Sequence, residues 1–316
     1  MLDVVALGEL LIDFTCTAMD ADGYPTMAAH PGGAPANFLA ALTAYGAGTA
    51  LLGKVGTDTF GRLLTGTLQK AGIDTSGLLA DEKVFTTLAF VTLDETGNRE
   101  FAFARKPGAD TCLTENEIDY SLIDRARVFH FGTLSLTGEP ARTATQKAIE
   151  YAKRQGKLIS CDPNLRLPLW SSEEAAKEQI LWALSQADIV KISDNEVDFL
   201  FGCSVEEGAE RILREYGARL VFVTCGADGC YFKNDLACGF VPAPKGIRAK
   251  DTTGAGDIFG GSAMAMLLRS GKKPGEMNEQ ELREIVSFAC TAASLSTEQS
   301  GGISSVPAYE EVLRRM

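Results

Sequence analysis

The stretch Asp251-Thr-Thr-Gly-Ala-Gly-Asp257, followed by a helical run over residues 258–269, decides how this 316-residue sequence is interpreted. Gly254 and Gly256, with the small Ala255 between them, let backbone N–H groups turn toward a ligand. These groups belong to a predicted helix start, where they lack partners within the helix and lie at the positive end of its dipole. The stretch therefore predicts an anion site suited to a phosphate.

Asp257 places a carboxylate beside this anion site. Such a group can accept the proton of an attacking hydroxyl, while the amides of Gly254, Ala255 and Gly256 stabilise charge on a transferred phosphoryl group. An aspartate is also favoured as a simple helix cap. The complete pattern D-T-x-G-A-G-D favours the catalytic interpretation, with Asp257 as the base.

Outward from this stretch, short β-rich runs alternate with amphipathic segments. The runs lie at residues 4–7, 50–52, 128–131, 158–160, 189–191 and 220–224. This alternation predicts repeated βαβ units, and hence a three-layer α/β/α fold with a mostly parallel central sheet. Ligands of such folds bind beyond the carboxyl ends of the strands.

Two segments break this alternation. Residues 85–93 and 99–105 are strand-like and are joined by the turn-forming residues 94–98, which predicts a hairpin. Residues 11–29 are equally unlike a crossover helix. We expect segments 11–29 and 85–105 to form a small β lid inserted into one domain that spans residues 1–316; an ordinary edge hairpin is the alternative.

Composition excludes several classes of function. The net charge is −12 and no Lys/Arg-rich run is present, so nucleic acid is not an expected partner, and no apolar run is long enough for a membrane span. Eight cysteines without a C-x-x-C pair favour reduced thiols in the cytoplasm. The segment Gly48–Val55 lacks the hydroxyl residue of a P-loop, and Gly8–Asp13 is not G-x-G-x-x-G.

Several motifs together resemble the PfkB, or ribokinase-like, family of carbohydrate kinases over nearly the whole chain. They are Gly8-Glu-Leu-Leu-Ile-Asp13, Pro31-Gly-Gly-Ala-Pro-Ala-Asn37, Asp162-Pro-Asn-Leu-Arg-Leu-Pro-Leu-Trp170, Thr224-Cys-Gly-Ala-Asp-Gly229 and the 251–257 stretch. The sequences of these motifs most resemble those of bacterial and plant fructokinases, and Ala34 stands where ribokinases often have lysine. A 2-keto-3-deoxygluconate kinase, a ribokinase and a non-catalytic sugar- or nucleotide-binding regulator remain alternatives.

The resemblance implies a sugar site, an ATP site and metal ions. It assigns sugar binding to Asp13, Gly32, Gly33, Asn37, Arg105 and Arg166. It assigns ATP binding to Lys191, Glu196, Thr224, Gly226 and Gly229. The N-x-x-E motif is present as Ser193-Asp-Asn-Glu196, in which Glu196 is implied to bind Mg²⁺ through water. Asp251 and Thr253, near Gly301 and Ser305, match the surroundings of a K⁺ ion, and lid strands in this family often pair across a homodimer.

Overall fold

The computed structural model describes residues 2–93 and 99–316. The strands are β1 (Val4–Leu7), β2 (Leu11–Met19), β3 (Pro25–Gly32), β4 (Thr49–Gly56), β5 (Leu78–Asp81), β6 (Leu88–Leu93), β7 (Arg99–Ala104), β8 (Val128–Gly132), β9 (Leu158–Asp162), β10 (Ile189–Ser193), β11 (Leu220–Thr224), β12 (Gly229–Asn234) and β13 (Cys238–Pro242). The α-helices are α1 (Ala34–Ala44), α2 (Thr59–Lys70), α3 (Tyr120–Arg125), α4 (Ala141–Arg154), α5 (Glu173–Leu184), α6 (Asp194–Phe201), α7 (Val205–Glu215), α8 (Ala255–Ser270), α9 (Glu279–Ser296) and α10 (Tyr309–Arg315).

Nine strands form the central sheet in the order β13-β12-β11-β10-β9-β8-β1-β4-β5. All neighbours from β11 to β5 run parallel, whereas β12 and β13 add an antiparallel edge. The six runs predicted from the sequence all lie in this sheet. The predicted α/β class with a mostly parallel sheet is therefore confirmed.

The sheet is covered by helices on both faces. Along β1, Val4 and Ala6 belong to one hydrophobic cluster, which includes residues of α1, α8 and α9, whereas Val5 and Leu7 belong to another, which includes residues of α4, α5 and α7. Because successive side chains of a strand point to opposite faces, the two clusters are the two sides of a three-layer core. Every residue of β4 and of β8 is buried, as expected for strands covered on both faces.

A second, smaller sheet has the order β3-β2-β6-β7. Strands β2 and β6 run parallel, and each pairs antiparallel with its outer neighbour. All four strands fall in or next to the segments predicted as the lid, although β3 continues to Gly32 and β6 begins only at Leu88. The predicted loop at residues 94–98 lies outside the described residues.

Aromatic residues connect the small sheet to the main body. The ring of Phe14 on β2 stacks on Phe90 of β6 at 5.3 Å and meets the edge of Phe60 on α2 at 5.5 Å. Such ring pairs contribute stability beyond that of the apolar area they bury. Within the described residues, no helix is long and apolar enough to cross a membrane.

Candidate active site

Two adjoining cavities open at the carboxyl ends of the central strands. The smaller, of about 190 Å³, lies between the small sheet, the start of α1 and the start of α8, and includes Asp13, Gly33, Asn37 and Asp257. The larger, of about 630 Å³, lies over the ends of β10 and β11. Both cavities are lined by Asn164, Arg166, Lys191, Thr252 and Gly256, which therefore mark their junction.

The start of α8 forms part of this junction. Gly254 is the residue before the helix and has the left-handed φ of 76°, and no side chain caps the first turn. A Cβ on Gly254 would lie 3.0 Å from Nδ2 of Asn37 and 3.0 Å from Cα of Gly302, so only glycine suits both the dihedral and the space. The predicted anion site at residues 254–256 accordingly has the backbone geometry of an uncapped helix N-terminus.

Asp257 lies in the first turn of α8 and faces the smaller cavity. Its Oδ2 accepts a hydrogen bond of 2.8 Å from Nδ2 of Asn37. Burial raises the pKa of Asp257 above its ordinary value, against the lowering effects of Lys191, Asn37 and Arg166. A carboxylate with a raised pKa, fixed by one neighbour, is suited to accept a proton from a bound hydroxyl.

Asn37 reaches the cavity because α1 begins at the glycine pair. Gly33 precedes the helix with a φ of 115°, and a Cβ there would lie 2.5 Å from the backbone oxygen of Glu9. Pro35 occupies the first turn, where its missing N–H and fixed φ are tolerated. The predicted pair Gly33 and Asn37 thus lies in the smaller cavity together with Asp257.

Asp13 and Gly32 meet across the small sheet. Asp13 projects from β2 and lines the smaller cavity, and Oδ2 of Asp13 lies 2.2 Å from the place where a Cβ on Gly32 would be. A larger residue at position 32 would therefore displace the carboxylate. Gly32 shapes the position of Asp13 and is not itself among the residues that line the cavity.

Arg105 and Arg166 differ in their surroundings. Arg166 lines both cavities and its charge lowers the pKa of Asp257. Arg105 lines neither of them, because its guanidinium is buried in an ion pair: Nε and Nη2 donate to Oδ2 of Asp110 at 2.9 and 2.6 Å. Nη2 also donates to the Leu134 carbonyl and Nη1 donates to Oγ1 of Thr137, each at 2.9 Å. The structure thus gives Arg105 the contacts of an anchor for β7.

Lys191 is the middle residue of β10 and lines both cavities at their junction. Its Nζ donates to Oδ2 of Asp162 at 2.9 Å in a buried ion pair. Burial alone would lower the pKa of Lys191, but the carboxylates of Asp162, Glu196 and Asp257 outweigh it and raise the pKa. Since a Cβ on Gly256 would lie 3.0 Å from Nζ, this ammonium group adjoins the helix N-terminus and adds positive charge there.

Glu196 belongs to the capping box of α6. Its Oε2 accepts hydrogen bonds from the amide and the hydroxyl of Ser193, and its Oε1 accepts one of 2.7 Å from the amide of Leu165. With both oxygens engaged, the carboxylate is suited to a water-mediated contact with a cation more than to direct ligation. The described residues contain no group of three acidic, His or Cys side chains placed for metal binding.

The remaining predicted nucleotide residues line the larger cavity. Thr224 ends β11, Gly229 begins β12, and Gly226 lies in the turn between them. Gly229 has a φ of 130°, and a Cβ there would lie 2.1 Å from the carbonyl oxygen of Val241, so the turn requires glycine. Apolar side chains, including Ile247 and Phe259, cover another wall of the cavity, which provides a surface for a flat ring.

Asp251 connects the loop before α8 to the C-terminal loop. Its Oδ1 accepts a hydrogen bond of 2.9 Å from the amide of Thr253, and its Oδ2 accepts one of 3.2 Å from the amide of Gly301. Ser305 donates to the Gly302 carbonyl in the same loop. The residues predicted around a K⁺ ion are therefore brought together, with oxygen atoms of the kind that such an ion prefers.

Seven residues that line the smaller cavity were not predicted as site residues: Glu9, Leu11, Ala34, Phe103, Leu134, Asn164 and Thr252. Glu9 and Asn164 lie inside the quoted motifs at residues 8–13 and 162–170, so their positions beside predicted residues were the available signal. Phe103 lies on β7, where only its place at the end of the predicted lid hairpin indicated proximity.

A carboxylate that can accept a proton lies beside a helix N-terminus and a buried ammonium group. These groups meet where a small polar cavity adjoins a larger one. This arrangement, on a three-layer α/β fold, defines a small-molecule kinase. A family model described as pfkB family carbohydrate kinase matches residues 1–309, and the chain belongs to that family.

Relatives and solved structures agree over almost the entire chain. Fructokinase-1 of Zea mays is 45% identical over 316 aligned residues, which cover 98% of this chain and 96% of the relative. A fructokinase from Xylella fastidiosa with bound ATP has a TM-score of 0.90 at 27% identity and covers 98% of this chain and 97% of its own. A fructokinase from Vibrio cholerae O395, bound to fructose, ADP and calcium ion, has a TM-score of 0.86 at 31% identity, with 99% of both chains covered.

Proposed function

We propose that this carbohydrate kinase is a fructokinase, which transfers the γ-phosphoryl group of ATP to a primary hydroxyl of fructose. The observation that supports this most strongly is the position of Asp257 in the smaller cavity, directly beside the junction with the larger one. Fructose fits the proposal because the relatives named fructokinase match nearly the full chain. The smaller cavity is then the sugar site and the larger one the ATP site.

In the proposed reaction, Asp257 accepts the proton of the sugar hydroxyl as the hydroxyl oxygen attacks the γ-phosphorus, the bond from the γ-phosphorus to the β–γ bridging oxygen breaks, and ADP leaves. Asn37 orients the carboxylate through the hydrogen bond to Oδ2. The amides of Gly254, Ala255 and Gly256 and the ammonium group of Lys191 stabilise the charge that develops on the phosphoryl oxygens. Asp13, Asn37 and Arg166 hold the sugar, and the small sheet excludes water from it as a lid.

ATP enters this reaction as its magnesium complex. We assign Glu196 to the water shell of Mg²⁺, because its oxygens already accept hydrogen bonds from Ser193 and Leu165. When bound, the ion would neutralise negative charge on the phosphate oxygens. Thr224, Gly226 and Gly229 approach the nucleotide through the turn after β11. K⁺ is assigned to the loops at Asp251 and Thr253, and a second Vibrio cholerae O395 fructokinase structure is described with potassium ion.

We also propose a homodimer through the small sheet and a cytoplasmic location. Strands β3 and β7 are the edges of that sheet, and unpaired edges can pair with a second copy. Met19 and Tyr24 nearby are 62% and 69% exposed, which provides apolar surface for such a contact. Light scattering after gel filtration tests the dimer, and a mass of one chain refutes it.

The proposed cytoplasmic location is supported by the cysteines. All eight are free thiols, in keeping with a reducing compartment.

The proposed substrate is tested by an ADP-release assay with ATP and Mg²⁺. Fructose, ribose, 2-keto-3-deoxygluconate, glucose and adenosine are compared with and without K⁺. We expect the highest kcat/KM for fructose and a higher rate with K⁺. A clear preference for another substrate refutes fructokinase but keeps the kinase, whereas no turnover of any of them favours a binding regulator.

A further inference from the structure

Glu9 is a buried acid in the smaller cavity to which no function has been assigned so far. It lies two residues after β1, only 2% of its surface is exposed, and it lines the cavity together with Asp13, Asn37 and Asp257. Its Oε1 accepts a hydrogen bond of 2.9 Å from the amide of Ala34, the first residue of α1. Its Oε2 has no hydrogen-bond partner within residues 2–93 and 99–316.

An unpartnered buried carboxylate oxygen is costly and requires an explanation. Oδ1 of Asn37, a second residue of this cavity, is also buried without a partner among the described residues, but it lies against Gly302, where a Cβ would be 2.1 Å away. The unpartnered oxygen of Glu9 is therefore the one that indicates a ligand with a donor group. A sugar with its row of hydroxyl groups is such a ligand.

The electrostatic surroundings of Glu9 suit contact with a hydroxyl group. Burial raises the pKa of Glu9 to about 7, although hydrogen bonds from backbone amides and the charge of Arg105 lower it, and Asp110 raises it further. Near neutral pH the unpartnered Oε2 can therefore accept a hydrogen bond when the carboxyl is ionised or donate one when it is protonated. A sugar hydroxyl complements either state, because it is both a donor and an acceptor.

We propose that Glu9 is a sugar-binding residue whose Oε2 hydrogen-bonds to one non-reacting hydroxyl of the substrate, while its Oε1 holds the start of α1. This inference rests on the proposed sugar kinase function and extends it. One side chain then links sugar binding to the helix that carries Asn37, which in turn orients Asp257.

The test is a comparison of wild type and Glu9→Gln on fructose and on analogues that each lack one non-reacting hydroxyl. The glutamine carbonyl can still accept the hydrogen bond from the Ala34 amide, so the variant replaces only Oε2, by an NH2 group. We expect kcat/KM for fructose to fall by about tenfold, since a neutral NH2 group replaces the carboxylate oxygen and the charge-assisted hydrogen bond to the hydroxyl is lost, while KM for ATP stays within about twofold. For one analogue, wild type and variant should have equal kcat/KM.

Glu281→Gln is the matched control, because Glu281 also accepts a hydrogen bond from a backbone amide at a helix start, at 3.0 Å from Asn278, far from both cavities. Its kinetic constants should equal those of wild type. If Glu9→Gln leaves kcat/KM for fructose unchanged, or loses the same factor on every analogue, the proposed contact is wrong. If wild type prefers another sugar, only the fructose assignment fails, and the same comparison on that sugar tests Glu9.

Discussion

Gly254→Ala is expected to separate the effect of the anion site on stability from its effect on catalysis. Gly254 has a φ of 76°, and a side chain in this left-handed conformation costs about 1–2 kcal/mol. The added methyl would also lie 3.0 Å from Nδ2 of Asn37 and from the backbone of Gly302, so at least one of them must shift by a few tenths of an ångström. Nδ2 is the atom that holds Asp257.

The shift should therefore lower catalysis as well as stability. Because a displacement of about 1 Å in an active site can reduce the rate by about 10²-fold, a shift of a few tenths of an ångström should lower kcat of Gly254→Ala by roughly 3- to 10-fold. The free energy of unfolding should fall by about 1–2 kcal/mol from the dihedral alone. ADP release at saturating ATP and sugar measures the first, and urea unfolding measures the second.

Gly271→Ala is the control for this variant. Gly271 ends the same helix, α8, with a similar φ of 69°, but a Cβ there would meet no atom within 4 Å. Its loss of stability should be similar, whereas its kcat should stay within about twofold of wild type. If Gly254→Ala retains its kcat, or if both variants lose kcat equally, the proposed effect of crowding Asn37 on catalysis is refuted.

Three further predictions concern charge. Because burial raises the pKa of Asp257 and the base must be ionised, kcat/KM should fall as pH decreases through a value above the 3.8 of an ordinary aspartate, which a pH–rate profile measures. Lys191→Met should lower kcat by about 10²-fold at saturating ATP in the same assay, by removing the junction cation. Arg105→Met should lower the free energy of urea unfolding by about 3–5 kcal/mol, since Asp110 stays buried without its partner. Arg214→Met, from an exposed ion pair, is its control and should leave the unfolding midpoint nearly unchanged.

The fold was predictable because its signals are local and repeated. Strands such as β4 and β8 are short apolar runs, and amphipathic segments such as α4 lie between strands, which is the pattern of a sheet covered on both faces. The start of α8 was predictable for the same reason. Its glycines and Asp257 follow one another in sequence, and their roles depend on a backbone conformation that the glycines themselves allow.

The direction in which individual side chains turn could not be derived from the sequence, for near neighbours as for distant segments. Arg105 was predicted to contact the sugar, yet its guanidinium lies against Asp110, and nothing in the order of residues determines which way the side chain turns. Oε2 of Glu9 was missed because its burial without a partner among residues 2–93 and 99–316 depends on what the folded chain places around it. The sequence showed the acidic residue, but only the folded chain shows what surrounds it.

The turnover of Asp257→Asn tests most directly whether Asp257 is the base of a sugar kinase. The substitution keeps the size of the side chain, and its carbonyl can still accept the hydrogen bond from Asn37. We predict that kcat falls by at least about 10²-fold while the Kd for ATP, measured by calorimetry, stays close to wild type. A kcat near that of wild type, with ATP binding intact, would show that Asp257 is not the catalytic base.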